Sequence, residues 1–323
     1  MRIADCGLRI ELRRQVRSIS SPLVGEGWLR GNFLIIAAVL CLPFIASAAE
    51  PVVHPQPEIV LSPSSPGPGD IMIVTVRGVN GPVDGAFNGR KIYFNPSKDV
   101  FRAVVGIDLF IEPGSYPLDV AAIGSTEHRT IVVQKKEYPV QHLKLPKDMV
   151  ELSPENEARV ARELKLTSSL WPNETGRVWD GGFINPREGK ISTLFGVRRF
   201  MNMIPKNPHT GVDVEAEEGE QVRAPNNGVV ALVDDLYYSG NSVVLDHGQG
   251  LYTMFFHLSK VLVKPGQQIK KGEVIALVGS TGRSTGAHLH WGVRVQGARV
   301  DPMELIKLDL NDGAGAQTTM PVR

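Results

Sequence analysis

Two stretches of the 323-residue chain repeat one design. "EGEQVRAPNNGVVALV" (218–233) sets Gly219 and Val222 ahead of Gly228 and "VVALV"; "PGQQIKKGEVIALVG" (265–279) sets Gly266 and Ile269 ahead of Gly272 and "VIALV". The first copy carries three extra residues between its apolar residue and its second glycine. Glycine at this density is costly inside a helix, whereas Val and Ile suit a pleated strand. The pattern therefore predicts two apolar β-hairpins of one kind, and their duplication predicts a glycine-rich hybrid β-barrel or sandwich. Biotinyl and lipoyl carrier domains also duplicate a hairpin, but they display a lysine at its tip. Here the turn after "VVALV" reads "DDLYYSGN", without lysine, which excludes a carrier.

The rest of the chain is also mainly β. From Ile71 to Val133 short runs such as "IMIVTVRG", "KIYFN", "FRAVVGIDL" and "RTIVVQ" alternate with Gly, Pro and Asn turns, the pattern of a small antiparallel sandwich. His54 and His128 stand alone in this half and read as structural. "LSPENEARVARELKLTSSLW" is different. Ser153 is a good N-cap, Pro154 fits the first helical position, and Glu155 and Glu157 lie where a helix favours carboxylates. A linker helix running to about Ser169 is predicted, with Val160 and Leu164 on a face that can dock. The expected fold is thus an N-terminal β-sandwich, a linker helix and a C-terminal duplicated-hairpin domain.

Residues 33–46, "FLIIAAVLCLPFIA", form an apolar run of signal-peptide length, preceded by Arg30 and followed by Ala46, Ser47 and Ala48. It is short for a membrane span and contains Pro43. Residues 1–48 are therefore expected to be an export signal with a long lead-in, cut after Ala48, leaving no stable membrane insertion. Both cysteines, Cys6 and Cys41, leave with it, so the exported chain is expected to hold no disulfide. Leu40 before Cys41 is not the small residue a lipoprotein signal wants. Removing six basic and three acidic residues from totals of 35 and 34 leaves 29 and 31, a net charge of −2. Nucleic-acid binding has no electrostatic support.

Five of the eight histidines lie in three short motifs. "TGAHLHWGVRV" places His288 and His290 two apart ahead of a strand-like run. On a strand they share one face, while Leu289, Trp291, Val293 and Val295 share the other. Such a pair either binds a metal, or combines a ligand with a proton-transfer group, or is simply half exposed. "NPHTGVDVE" places His209 and Asp213 four apart, but Pro208 and Gly211 argue for a loop entering a strand. In "LDHGQGLYTMFFHLSK" alternation puts His257 on the face of Thr253 and Phe255, with Met254 and Phe256 opposite; His247 reads as a turn or groove residue. His142 has no partner in view. "GSTGRST" (279–285) has no lysine of a phosphate-binding loop and reads as a glycine turn.

Taken together these motifs are specific. "FGVRR", "PHTGVDVEAEEGEQVRAPNNGVV", "GNSVVLDHGQGLYTMFFHL", "VKPGQQIKKGEVIALVGSTGRSTGAHLHWGV" and "VDPMEL" closely resemble the lysostaphin-like (LytM-type) zinc metallopeptidases over residues 179–306. "VGIDL" and "PGSYPLDV" look like the immunoglobulin-like domain that precedes the peptidase in some members. The resemblance implies one zinc ion held by His209, Asp213 and His290, with His257 and His288 as catalytic histidines that are not ligands. Two imidazoles and a carboxylate leave zinc a fourth position for water, as catalytic sites do. With no H-E-x-x-H glutamate, another group must take the proton, and a histidine is suited to that. The implied organisation is a proline-rich linker at 49–57, an immunoglobulin-like sandwich at 58–136, a linker with a helix at 137–177, the zinc endopeptidase domain at 178–310 and a flexible tail at 311–323. The implied substrate is bacterial peptidoglycan, cleaved at its peptide cross-links or stem peptides in the periplasm, the wider envelope or outside the cell. Glycine turns at Gly240, Gly279, Gly282 and Gly286 would rim an open groove for it. The alternative, a non-catalytic wall-binding regulator of another hydrolase, is disfavoured because all five expected residues are present. A zinc peptidase acting on a protein substrate, such as a bacteriocin or an elastin-like target, differs from a wall-cleaving one in no sequence feature.

Overall fold

The computed structural model describes residues 57–122, 124–144 and 152–310. The expected export signal, His54 and the C-terminal tail lie outside them. Seven strands open the described chain: β1 (Glu58–Ser62), β2 (Ile71–Arg77), β3 (Asp84–Phe87), β4 (Arg90–Ser97), β5 (Val100–Gly106), β6 (Gly114–Ala122) and β7 (Ser125–Val133). They form one sheet in the order β1-β2-β5-β4-β3-β6-β7. It curls at β4, whose first half pairs β3 (Ala86↔Lys91) and whose second half pairs β5 (Phe94↔Ala103); a strand that changes partners midway turns a corner. Alternation drives the burial. Met72, Val74 and Val76 of β2 meet Ala103, Val105, Leu118, Val120 and Ile131 in a closed core, and each large aliphatic side chain buried there contributes about 1.5–3 kcal/mol.

Val140–Leu143 follows as β8, within the stretch expected to be linker, and then α1 (Pro154–Ser168). Ser153 caps α1 through its Oγ, which accepts from the Asn156 N–H at 3.2 Å. The expected apolar docking face is absent: α1 buries no side chain and Leu164 is exposed. Charge holds it instead. Arg159 bridges Glu163 at 2.6 Å and the Asp235 carbonyl at 2.7 Å, and Glu163 accepts from the Tyr237 N–H at 2.8 Å.

The remaining strands are β9 (Ile191–Thr193), β10 (Arg198–Met201), β11 (Ile204–Lys206), β12 (Gly211–Glu215), β13 (Gln221–Arg223), β14 (Gly228–Leu236), β15 (Gly240–Gly248), β16 (Leu251–Val261), β17 (Gln268–Ile269), β18 (Val274–Val278), β19 (His288–Val295) and β20 (Ala298–Val300), before the short helix α2 (Pro302–Lys307). The main path runs β17-β14-β15-β16-β19-β12-β9. The duplicated stretches are not two hairpins. β13 of the first copy pairs β18 of the second, and β14 of the first pairs β17 of the second. Each copy completes the other, with Val222 and Ile269 buried at equivalent places. Gly219 and Gly266 both hold a left-handed φ, +89° and +80°, a conformation that costs an L side chain.

The two β regions share a core. Ile71, Val104 and Leu109 from the first sheet pack with Val295, Ala298 and Val300 from the second. Asp108 accepts from the Arg299 backbone N–H at 2.8 Å and lies 3.3 Å from its guanidinium. No helix among the described residues is long and apolar enough to cross a membrane.

Candidate metal centre

β19 lies between β16 and β12, and it carries both histidines of the H-x-H motif. Its inward face is Leu289, Trp291, Val293 and Val295, each 1% exposed or less, as alternation requires. Its other face carries His288 and His290. The antiparallel register sets Asp213 opposite His290 and Glu215 opposite His288, and directly opposed side chains meet. Asp213 Oδ1 lies 2.9 Å from His290 Nδ1 and 3.7 Å from His288 Nε2. Gly211 opposes Gly292 one step along the same pair. A Cβ on Gly211 would strike the Trp291 carbonyl and lie 2.6 Å from His290 Nε2, so only glycine lets the two strands approach this closely.

His209 precedes β12 and is held by its neighbours rather than by a strand. Its N–H donates to the Val197 carbonyl at 2.9 Å, its carbonyl accepts from Gly196 N–H at 2.8 Å, and its Nδ1 lies 2.9 Å from the Leu194 carbonyl. A carbonyl only accepts, so Nδ1 carries the proton and Nε2 presents a lone pair. That Nε2 lies 2.9 Å from Asp213 Oδ1 and 3.0 Å from His290 Nδ1. Three buried donor atoms from His209, Asp213 and His290 thus converge. Electron pairs packed this closely repel unless a proton or a cation sits among them. Two imidazole nitrogens and one carboxylate oxygen match the donor set of a three-ligand metal site with an open position.

Burial alone would raise the Asp213 carboxyl, but its bonds to His209 and His290 outweigh burial and hold it far below the usual carboxylate range. The site therefore keeps a full negative charge. Burial pushes His290 down to about 4 against the pull of Asp213, which keeps the imidazole neutral as a ligand must be. Two further side chains, both within the quoted motifs but not singled out there, shape the centre. The Phe256 ring stacks on His290 at 5.2 Å and 7°. The Arg199 guanidinium lies 3.4 Å from Asp213 Oδ2, the oxygen turned away from the histidines.

His257 reaches the site by a route that alternation missed. Phe256, not Phe255, pairs opposite His290, so strict alternation would point His257 into the core. Instead His257 takes a left-handed φ of +62° beside an irregularity in the β15–β16 register. Its ring swings to the Phe256 side, 4.7 Å from His288 and 6.2 Å from His290. A non-glycine residue at such φ is uncommon and costs roughly 1–3 kcal/mol. The glycine turn at 279–285 fixes the ring, because the Thr281 carbonyl accepts from His257 Nδ1 at 2.8 Å. His288 is fixed the same way by Gly286 O at 2.9 Å. Both rings spend the Nδ1 proton on a carbonyl, which leaves Nε2 bare. Burial lowers the His257 pKa, partly offset by the Thr281 bond.

The other histidines lie elsewhere. His247, expected at a turn or groove, is fully buried in β15, with Nδ1 2.6 Å from the Asn227 carbonyl and Nε2 2.8 Å from Thr253 Oγ1. Burial lowers its pKa to about 4. His142 does have a partner: it stacks on Phe200 at 5.0 Å. His128 pairs with Asp119 on the surface.

The description "Peptidase family M23" matches residues 207–302, the span from the loop before His209 to the first residue of α2. A crystal structure of a putative peptidase M23 from Pseudomonas aeruginosa is 32% identical, covers 75% of this chain and 95% of that one, and superposes with a TM-score of 0.62. The chain belongs to peptidase family M23. Among curated relatives, an uncharacterized metalloprotease of Haemophilus influenzae is 40% identical over 147 residues, which are 43% of this chain and 30% of that protein. Peptidoglycan DD-endopeptidase ShyA of Vibrio cholerae is 41% identical over 117 residues, 36% of this chain and 27% of that protein. The chain therefore spans less than a third of the length of either relative. The similarity to the Pseudomonas M23 structure extends well beyond residues 207–302, since it takes in three quarters of the chain.

Proposed function

We propose that this M23 chain is a zinc-dependent endopeptidase that hydrolyses peptide cross-links or stem peptides of bacterial peptidoglycan. One observation carries the reading: three buried donors, His209, Asp213 and His290, converge beside two histidines, His257 and His288, whose Nδ1 atoms are held by backbone carbonyls so that Nε2 is left bare. The donor set fits zinc, with His209 Nε2, Asp213 Oδ1 and His290 Nδ1 as ligands. Bound there, zinc would supply a Lewis acid for the scissile carbonyl and lower the pKa of a coordinated water to about 7.

The chain's own groups do the rest. Asp213 would offset the metal's charge, and Arg199 on its far oxygen keeps that carboxylate turned toward the histidines. Burial keeps His257 neutral near pH 7, so its Nε2 is available to accept a proton. His288, 3.7 Å from Asp213 Oδ1 and 19% exposed, faces the side where substrate enters. Between them the two imidazoles take the proton and stabilise the charge developing on the carbonyl oxygen. The peptidoglycan assignment draws on ShyA, 41% identical over 117 residues, and the proposed site of action is the envelope, reached through the export signal expected at residues 1–48. We read the curled N-terminal sheet as an immunoglobulin-like domain and the C-terminal sheets as the duplicated hybrid fold of this family.

Metal analysis of purified variants tests the division of roles. His290→Ala and Asp213→Ala should lose both zinc and activity. His288→Ala should lose activity and retain most of the zinc. An active His288→Ala enzyme would show that the proton chemistry is placed on the wrong residue.

A further inference from the structure

Tyr138 lies outside the segment matched by the family description and touches none of the five site residues, yet the structure places it one step behind a ligand. His209 owes its position to residues 194–197 through three hydrogen bonds: to Leu194 O, from Gly196 N–H and to Val197 O. That segment is clamped from its other side. The Tyr138 ring sits edge-on to Phe195 at 6.1 Å and directly over Gly196, where any Cβ would run into it. The Tyr138 O–H donates to the Pro68 carbonyl at 2.5 Å, at the base of the N-terminal sheet. Gly69, at φ +81°, lets that loop close on Phe195; a Cβ there would strike the Phe195 ring and come 2.7 Å from the Tyr138 hydroxyl. The chain then continues from Tyr138 into β8, which runs parallel to β10, with Gln141 beside Arg199; Arg198 N–H donates to the Pro139 carbonyl at 2.9 Å. Residues 138–143 therefore brace both the loop that orients His209 and the strand that carries Arg199 to Asp213.

We propose that Tyr138 is a positioning residue for the metal centre, its ring bracing the segment that orients His209. This rests on His209 acting as a ligand. Groups that orient a metal-binding imidazole typically change metal affinity 10–100-fold when removed, and a brace one step further out belongs at the lower end of that range. A passive packing role makes a different prediction: loss of stability with no change in metal affinity.

The test uses the exported chain from Ala49. Zinc affinity is measured by competition with a chromophoric chelator, the Co(II) absorption spectrum reports ligand geometry, and thermal unfolding of the metal-free protein reports stability. Tyr138→Ala should weaken zinc about tenfold and shift the Co(II) bands. Tyr138→Phe keeps the ring on Phe195 and Gly196 and should restore affinity to within about twofold of wild type. Tyr138→Leu serves in place of the alanine variant should that one not fold, with a loss between the two. Ile131→Ala, which opens the N-terminal core away from the clamp, should lower stability and leave zinc affinity unchanged. Wild-type zinc affinity in Tyr138→Ala, or an equal loss in Ile131→Ala, overturns the proposal. A wild-type protein that binds no zinc overturns the metal-centre reading itself, a separate outcome.

Discussion

His247 gives the fold a calculable dependence on pH. It is buried between the Asn227 carbonyl and Thr253 Oγ1. Its one proton goes to the carbonyl and its lone pair accepts from the threonine, so the neutral ring is fully satisfied and a second proton would have no acceptor. The folded-state pKa is about 4 against an ordinary 6.5. Below pH 6.5 the unfolded chain takes up a proton that the folded chain refuses. Stability is therefore fully present above pH 6.5 and declines as the pH falls toward 4. With about 1.4 kcal/mol for each pKa unit, the linkage amounts to about 2 kcal/mol by pH 5 and about 3 kcal/mol by pH 4. The assay is urea unfolding of the metal-free protein at pH 7.5, 6, 5 and 4.5, comparing wild type with His247→Gln. The variant should be less stable at pH 7.5, since one side chain of that shape cannot replace both hydrogen bonds, at a cost of about 1–3 kcal/mol. Its stability should fall less steeply with acid, so the two curves converge. His290 also titrates low, but it is common to both proteins and cancels in the difference. Parallel curves would refute the argument.

Two further substitutions probe the site. Gly211→Ala drives a methyl group into the Trp291 carbonyl and the His290 ring, and such overpacking costs about 1–3 kcal/mol; a lowered unfolding temperature together with weakened zinc binding is expected, and wild-type values of both would show that the strands have slack. Arg199→Gln removes the cation beside Asp213 Oδ2 and should weaken zinc about tenfold, measured by chelator competition, with unfolding of the metal-free protein little changed.

Much of the site was legible because strand periodicity is local. His288 and His290 had to share a face, and the β12–β19 register then brought Asp213 to one of them. The breaks in periodicity were not legible. His257 sits at a positive φ that nothing in "FFHLSK" announces, and alternation put it on the wrong face. His247 looked like a turn residue because Gly248 and Gly250 follow it closely, yet its hydrogen bonds come from residues 6 and 20 positions away. The duplicated stretches revealed the pattern of the fold but not its pairing, since cross-pairing depends on contacts some 50 residues apart. The helix was read correctly from its cap and first turn, but its mode of attachment was not, because Val160 and Leu164 suggested an apolar face where ion pairs act. Carbonyls that set histidine tautomers have no sequence signature, and neither does the brace at Tyr138.

The most direct measurement is a digest. A chain beginning at Ala49, loaded with zinc, is incubated with purified cross-linked sacculi, with and without a chelator, and the products are identified by mass spectrometry. Disappearance of cross-linked peptide dimers, blocked by the chelator and restored by added zinc, is the predicted result and names the bond that is cut. Intact dimers in a sample shown to contain zinc would contradict the assignment of this chain as a peptidoglycan endopeptidase.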